Sequence, residues 1–152
     1  MTPYRIQRLG SGDTALAKRL FTKMADIFDE PRAELSERYL SALLSRTEFW
    51  ALAALAGDEV VGGLTAHTLP MTRLEASEIF IYDIAVDAEH RLKGVGRQLI
   101  AELQRAAAGA GIQDAFVPVD NDDQHALDFY RALGASAAPV TIFSFGASTD
   151  AD

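Results

Sequence analysis

Hydrophobic and polar positions change their period several times along the chain, and each change marks an element. Tyr4-Arg5-Ile6-Gln7-Arg8-Leu9 alternates and predicts a first strand, which Gly10-Ser11-Gly12-Asp13 breaks. Ala17, Leu20, Phe21, Met24, Ile27 and Phe28 then mark one face of a helix that Asp29-Glu30-Pro31 ends. A second helix is expected from Ala33 or Ser36 to Leu44, with Leu35, Tyr39, Leu40, Leu43 and Leu44 inward. Its link to the first helix carries Asp26, Asp29, Glu30 and Glu34, read as a solvated surface. Phe49 to Ala56 reads as a buried strand, Gly57-Asp58-Glu59 as a hairpin turn, and Val60 to Leu69 as the returning strand. Gly62-Gly63 inside that strand signals a bulge or a close backbone approach.

The next run, Glu78-Ile79-Phe80-Ile81-Tyr82-Asp83-Ile84-Ala85-Val86, is β-branched and aromatic and apolar on both faces, which predicts a central, buried strand. Val95, Leu99, Ile100, Leu103 and Ala107 return to helical spacing and end near Gly109-Ala110-Gly111. Ala115 to Val119 is read as a strand with a free side at Pro118. A short helix over Ala126–Gly134 follows, and Ala135–Ala138 with Val140–Phe145 is read as a final hairpin. The expected order is β-α-α-β-β-β-α-β-α-β-β, an α/β fold with a mixed central β-sheet flanked by helices. One domain is expected over residues 1–146, with a fraying tail at 147–152.

Between the central strand and its helix lies Arg91-Leu92-Lys93-Gly94-Val95-Gly96-Arg97, a Gly-x-Gly turn among three cations. Glycines at such a turn let backbone N–H groups approach a ligand, and a helix N-terminus offers unpaired donors and a positive dipole end. From the glycines alone, a phosphate seat and an ordinary turn with surface cations are equally good readings. A dinucleotide fingerprint requires a third glycine where Leu99 stands. A nucleotide-triphosphate loop requires Gly-Lys-Ser/Thr, and Arg97-Gln98 follow the last glycine here.

Charge changes the weighing. The chain carries 22 acidic against 14 basic residues, net −8, so three clustered cations are a local exception that favours an anionic ligand. The acidic surface excludes nucleic acid as the expected partner. No apolar run is long enough to span a membrane and no signal-type segment opens the chain, so a cytoplasmic, membrane-free protein is expected. The absence of cysteine removes disulfides, thiolate zinc sites and a cysteine nucleophile. His67, His90 and His125 are dispersed with no metal-ligand spacing, so no metal is expected.

Arg91, Gly94 and Gly96 match, position for position, the Arg/Gln-x-x-Gly-x-Gly/Ala pyrophosphate loop, and Ala126-x-x-Phe129-Tyr130-x-x-x-Gly134 is similar to a second block. In both the chain resembles the GCN5-related N-acetyltransferases, which bind acetyl-CoA. The phrases Phe49-Trp50-Ala51-Leu52-Ala53-Ala54, Val60-Val61-Gly62-Gly63-Leu64 and Glu78 to Val86 resemble more narrowly the aminoglycoside 3-N-acetyltransferases of that superfamily. The N-terminal third resembles them much less. Asp123 stands where the superfamily often has asparagine.

The resemblance implies a cofactor, acetyl-CoA, held by backbone N–H groups from Leu92 to Arg97 (Leu92, Lys93, Gly94, Val95, Gly96, Arg97) and by Arg91. It also implies main-chain contacts from Ile84, Ala85 and Val86 to the pantetheine and the acetyl carbonyl. An aliphatic ammonium must lose a proton before it attacks. Asp83 is the first candidate, as base or as a carboxylate that only binds the substrate cation; Glu78, at one end of the same strand, is the second. Tyr130 is implied as the acid for the leaving thiolate; otherwise it is a core aromatic. Asp120, Asp122 and Asp123 exceed what a helix cap requires and suit a polycationic amine. The expected activity is acetyl transfer to the 3-amino group of an aminoglycoside by direct attack in a ternary complex, conferring resistance. The alternatives are a polyamine, small-amine or protein N-acetyltransferase and, in another class, a non-catalytic CoA-binding regulatory module. A homodimer is expected from family habit alone.

Overall fold

The computed structural model describes residues 3–146. Five strands form one sheet in the order β1-β2-β3-β4-β5: Arg5–Arg8, Phe49–Ala56, Glu59–Pro70, Ser77–Val86 and Asp114–Phe116. The first four pair antiparallel, and β5 joins β4 in parallel. The helices are α1 (Thr14–Ile27), α2 (Glu37–Leu44), α3 (Val95–Gly109) and α4 (Gln124–Ala132). The chain divides into two compact units after Pro118, so β1 to β5 and α1 to α3 lie in the first and α4 in the second.

Alternation along β2 distributes the core between two layers. Phe49, Ala51, Ala53 and Leu55 join Ala17, Leu20 and Met24 of α1 and Leu40 and Leu44 of α2 in one apolar cluster. The intervening residues, Trp50, Leu52 and Ala54, are also buried, and α3 lies against β2, β3 and β4 with Val95, Leu99, Leu103 and Ala107 inward. Gly63 is where α1 meets the sheet. A Cβ there would collide with the Leu20 side chain and stand 2.8 Å from the Leu52 carbonyl oxygen. At Gly62 a Cβ would stand 2.6 Å from the Ala85 carbonyl oxygen, so the glycine pair lets β3 sit close to both α1 and β4. Val61, beside it, is a bulge, for Ala54 faces Gly62 and Leu55 faces Val60.

Four expectations require correction. The run at 78–86 is not the central strand: β4 is fourth of five, Tyr82 in its middle is 61% exposed, and the most continuously buried strands are β2 and β3. Tyr39 does not face the core. It is 57% exposed, because the helix starts at the Ser36 cap, whose hydroxyl accepts the Tyr39 N–H at 3.0 Å, and Leu40 and Leu44 form the inward row. The fifth strand is shorter than Ala115–Val119 and ends at Phe116, before Pro118 can interrupt a ladder. The final hairpin is absent: residues 135–146 form no strand, and Val140, Ile142, Phe143 and Phe145 are all largely exposed. Alternation gives a segment β-propensity but no ladder partner, and a lone two-stranded hairpin is marginal in water. The expected tail at 147–152 lies outside the described residues.

Candidate active site

Two features of the first unit carry chemistry. One is the turn that opens α3. Leu92 holds φ +62 and Gly94 φ +85, with Lys93 between them outside the left-handed region. Such alternation points successive N–H groups toward one side, the geometry of an anion nest. Leu92 is 98% exposed, so no apolar burial holds it in a conformation that leucine seldom adopts. Gly94 is the N-cap of α3 and supplies no side chain to cap it; the first intrahelical bond runs from the Gln98 N–H to the Gly94 carbonyl at 3.0 Å. The N–H groups of Val95, Gly96 and Arg97 therefore precede the helical ladder. No acid stands in the first turn, and space is open where a Cβ of residue 94 would project. Arg91, Lys93 and Arg97 are exposed, and none forms an ion pair among the described residues. Arg91 instead donates its Nε–H to the Val86 carbonyl at 3.3 Å, which ties the turn to the end of β4. Uncapped donors, free cations and open space fit a pyrophosphate.

The other feature is the middle of β4. Its parallel ladder with β5 covers only Glu78, Ile79 and Phe80, facing Asp114, Ala115 and Phe116. Among the described residues no strand pairs with Ile81–Val86 on that side, so β4 and β5 part where Ile84, Ala85 and Val86 follow. At the parting the β3–β4 register slips: Thr65 faces Asp83 and Ala66 faces Ile81, leaving Tyr82 as the extra residue. Asp83 is half-buried and forms no hydrogen bond or ion pair among the described residues. Burial pushes its carboxyl above the ordinary aspartate value, and the negative charge of Glu30, just beyond α1, pushes it further. Glu78 is five residues away along the strand, roughly 15 Å. The two carboxylates named together in the sequence do not share a site.

Glu30 is exposed, as the solvated-surface reading expects, but its charge reaches Asp83, which that reading did not anticipate. Its backbone N–H bonds back to the Ala25 carbonyl at 2.9 Å, across an Asp29 held at φ +55. A paired Asp26–Arg32 contact, 2.7 Å from Nε and 2.5 Å from Nη2, straps the same loop. The signal in the sequence was only a helix-ending Asp-Glu-Pro; that α1 packs on β4 was not in it.

In the second unit Asp123 is the N-cap of α4, and its carboxylate accepts the Ala126 N–H at 3.1 Å. The Asp120 carbonyl accepts the Asp123 N–H at 3.0 Å, and the Asp122 carbonyl accepts the Gln124 N–H at 3.1 Å. All three side chains are exposed. Tyr130, on α4, is half-buried with its ring edge-to-face on Phe129 at 5.0 Å.

The histidines have structural settings. His67 lies between Phe49 and Tyr82, with ring centroids 5.3 and 6.0 Å away. His90 pairs through Nδ1 with the Tyr4 hydroxyl at 2.9 Å. Glu59, Asp87 and His90 bring ligand-type atoms within 4.8 Å of one another, but the Lys23 ammonium already sits 3.1 Å from the Asp87 carboxylate. No described helix is long and apolar enough to cross a membrane.

A sheet whose fourth and fifth strands part beside an uncapped, glycine-opened helix defines an acyltransferase-type α/β fold. The acetyltransferase (GNAT) family model matches residues 16–135, and the chain belongs to that family, whose acyl donor is acetyl-CoA. An aminoglycoside acetyltransferase from an uncultured soil metagenomic sample is 31% identical, with a TM-score of 0.92 over 96% of this chain and 99% of that one. Another from such a sample, solved in complex with sisomicin, is 28% identical, with a TM-score of 0.91 over 95% and 97%. The uncharacterized N-acetyltransferase YycN of Bacillus subtilis is 30% identical over 114 residues, 71% of each chain. Human N-acetyltransferase 8B is 27% identical over 129 residues, which are 84% of this chain and 55% of that protein. The chain thus spans little more than half the length of that curated relative.

Proposed function

We propose that the protein is an acetyl-CoA-dependent N-acetyltransferase whose acceptor is an aminoglycoside, modified at its 3-amino group by direct attack in a ternary complex, with antibiotic resistance as the consequence. The observation that carries this reading is Asp83: a half-buried carboxylate with no cation of its own, at the place where β4 parts from β5. Among the described residues no protein ammonium answers it, so a substrate ammonium is the natural partner. The likeness to two aminoglycoside acetyltransferases over 95% or more of the chain supports the choice of acceptor.

Acetyl-CoA, when bound, supplies a thioester acetyl group. The N–H groups of Leu92 to Arg97, with Arg91, would hold its pyrophosphate. Main-chain groups of Ile84, Ala85 and Val86 would orient the pantetheine and donate to the acetyl carbonyl as negative charge develops there. Asp83 would accept the proton of the attacking ammonium, directly or through water; its raised pKa makes it a better base than an ordinary aspartate. Tyr130 is assigned as the proton donor to the departing thiolate from its place in the Ala-x-x-Phe-Tyr-x-x-x-Gly block. Asp120 and Asp122 remain as acids for further ammonium groups, whereas Asp123 serves its helix first.

Thiol release from acetyl-CoA, measured in parallel with gentamicin, spermidine and a lysine peptide, tests the proposal. Turnover with gentamicin is expected. Turnover with spermidine or peptide alone would overturn the acceptor, and tight acetyl-CoA binding without turnover on any of them would favour a binding module. Asp83→Asn should lower turnover by roughly 10²- to 10⁴-fold while acetyl-CoA binding persists; unchanged turnover would remove Asp83 as base.

A further inference from the structure

We infer that Tyr82 is a specificity residue that selects amines carried on a ring over amines on a flexible chain. The inference rests on reading Asp83 as the acceptor's carboxylate and adds the surface beside it. In a regular strand Tyr82 and Asp83 would point to opposite faces. The register slip between Thr65↔Asp83 and Ala66↔Ile81 removes one residue from the alternation. Two independent neighbours show the result. The Tyr82 ring meets His67, which itself meets Phe49 of the α1–α2 core cluster. Asp83 stands two residues before Ala85, a member of the same cluster, and by strand alternation shares its face. Both side chains therefore turn to the α1–α2 side of the sheet.

Tyr82 is also held still. Its ring is edge-to-face with His67 at 6.0 Å and 89°, and with Phe80 at 5.8 Å and 85°; Phe80 in turn stacks on Phe116 at 5.2 Å and 11°. Yet it remains 61% exposed. A large aromatic surface fixed by its neighbours loses little entropy when a ligand covers it. The adjacent carboxylate specifies a cation, and a ring adds cation–π attraction and apolar contact. A saturated ring bearing an ammonium presents both at once: a flat hydrocarbon face for Tyr82 and a charge for Asp83. A linear polyamine presents the charge but must freeze several torsions to present a face.

Calorimetric binding of gentamicin and of spermidine to the CoA-loaded full chain, for wild type, Tyr82→Phe and Tyr82→Ala, decides the matter. Steady-state kcat and both KM values accompany it. Tyr82→Ala should weaken gentamicin about tenfold in Kd and KM, with kcat and the acetyl-CoA KM unchanged. Tyr82→Phe should keep wild-type affinity, and spermidine should change less than about threefold. A gentamicin Kd within about twofold of wild type in Tyr82→Ala overturns the inference. So does an equal loss for spermidine, an equal loss in Tyr82→Phe, or a wild type that does not bind gentamicin. A wild type that binds gentamicin and loses it in Tyr82→Ala, but acetylates nothing, would defeat the catalytic proposal and leave this inference standing.

Discussion

The two turns that open α3 and α4 solve the same problem in opposite ways. Each must satisfy the leading N–H groups of a helix. At α4 the chain does so itself: the Asp123 carboxylate accepts the Ala126 N–H, and carbonyls of Asp120 and Asp122 close the turn around it. At α3 the chain withholds every such device. The cap residue is Gly94, no acid stands in the first turn, and the flanking Leu92 is held left-handed in solvent. The first arrangement is a helix start completed by its own sequence; the second leaves its leading donors without a side-chain cap. Carboxylates divide in the same manner. Asp26 is held below the ordinary aspartate value by its hydrogen bond to Arg32, whereas Asp83 is raised by burial and by Glu30.

The sharpest way to break this contrast is to give α3 the device of α4. Gly94→Asp places a capping carboxylate, and a strained left-handed residue, where the pyrophosphate is expected. The KM for acetyl-CoA should rise on the order of 30- to 100-fold. Gly94→Asn, which tolerates that conformation without charge, should do less; equal KM values for both variants and wild type would place the seat elsewhere. Removing one cation, Arg91→Ala, should raise the same KM about three- to tenfold, and the effect should shrink as salt rises. The reverse operation on α4, Asp123→Ala, should cost about 1 kcal/mol of stability and lower Tm by roughly 2–4 °C, with the acetyl-CoA KM untouched. A change in that KM would show that the acid does more than cap.

The smallest effect concerns Asp83. Because its pKa is raised in the fold, the protonated form is favoured there: the stability associated with this group is fully present below the ordinary aspartate pKa and is lost as pH rises through the raised value. In the proposed mechanism the ionised form is the base, so the acid limb of the pH–rate profile should lie above the ordinary aspartate range. Glu30→Gln removes the smaller of the two causes and should move that limb to lower pH, read from the pH profile of kcat/KM. An unmoved limb would mean that Glu30 does not act on the titrating group. Asp83→Asn should leave stability at neutral pH unchanged or higher while turnover falls, a combination that general loss of folding cannot produce.

Some of this was legible in the chain itself. Gly94 and Gly96 marked the turn that opens α3, because a left-handed cap position favours glycine. Gly62-Gly63 marked a close approach of the backbone, and Asp123 lay in the acidic run of which a helix cap needs only a part. The periods of apolar residues placed α1, α2 and α3, since amphipathic faces are written at short range. Pairing is different. Nothing in Val140 to Phe145 says whether a partner strand exists, and nothing in Glu78 to Val86 says that its ladder with β5 stops at Phe80.

The sequence by itself determined the helices, the strands of the antiparallel meander and the glycine turn that opens α3, each governed by residues within a few positions of one another. Only the tertiary structure decided the surroundings of Asp83. The slipped register that turns Tyr82 to its side depends on β3, and the charge that raises its pKa comes from Glu30, beyond α1. Burial and Coulomb interactions depend on distance through space: residue 65 meets residue 83 only in the sheet, and the charge of residue 30 reaches residue 83 only when α1 packs on β4.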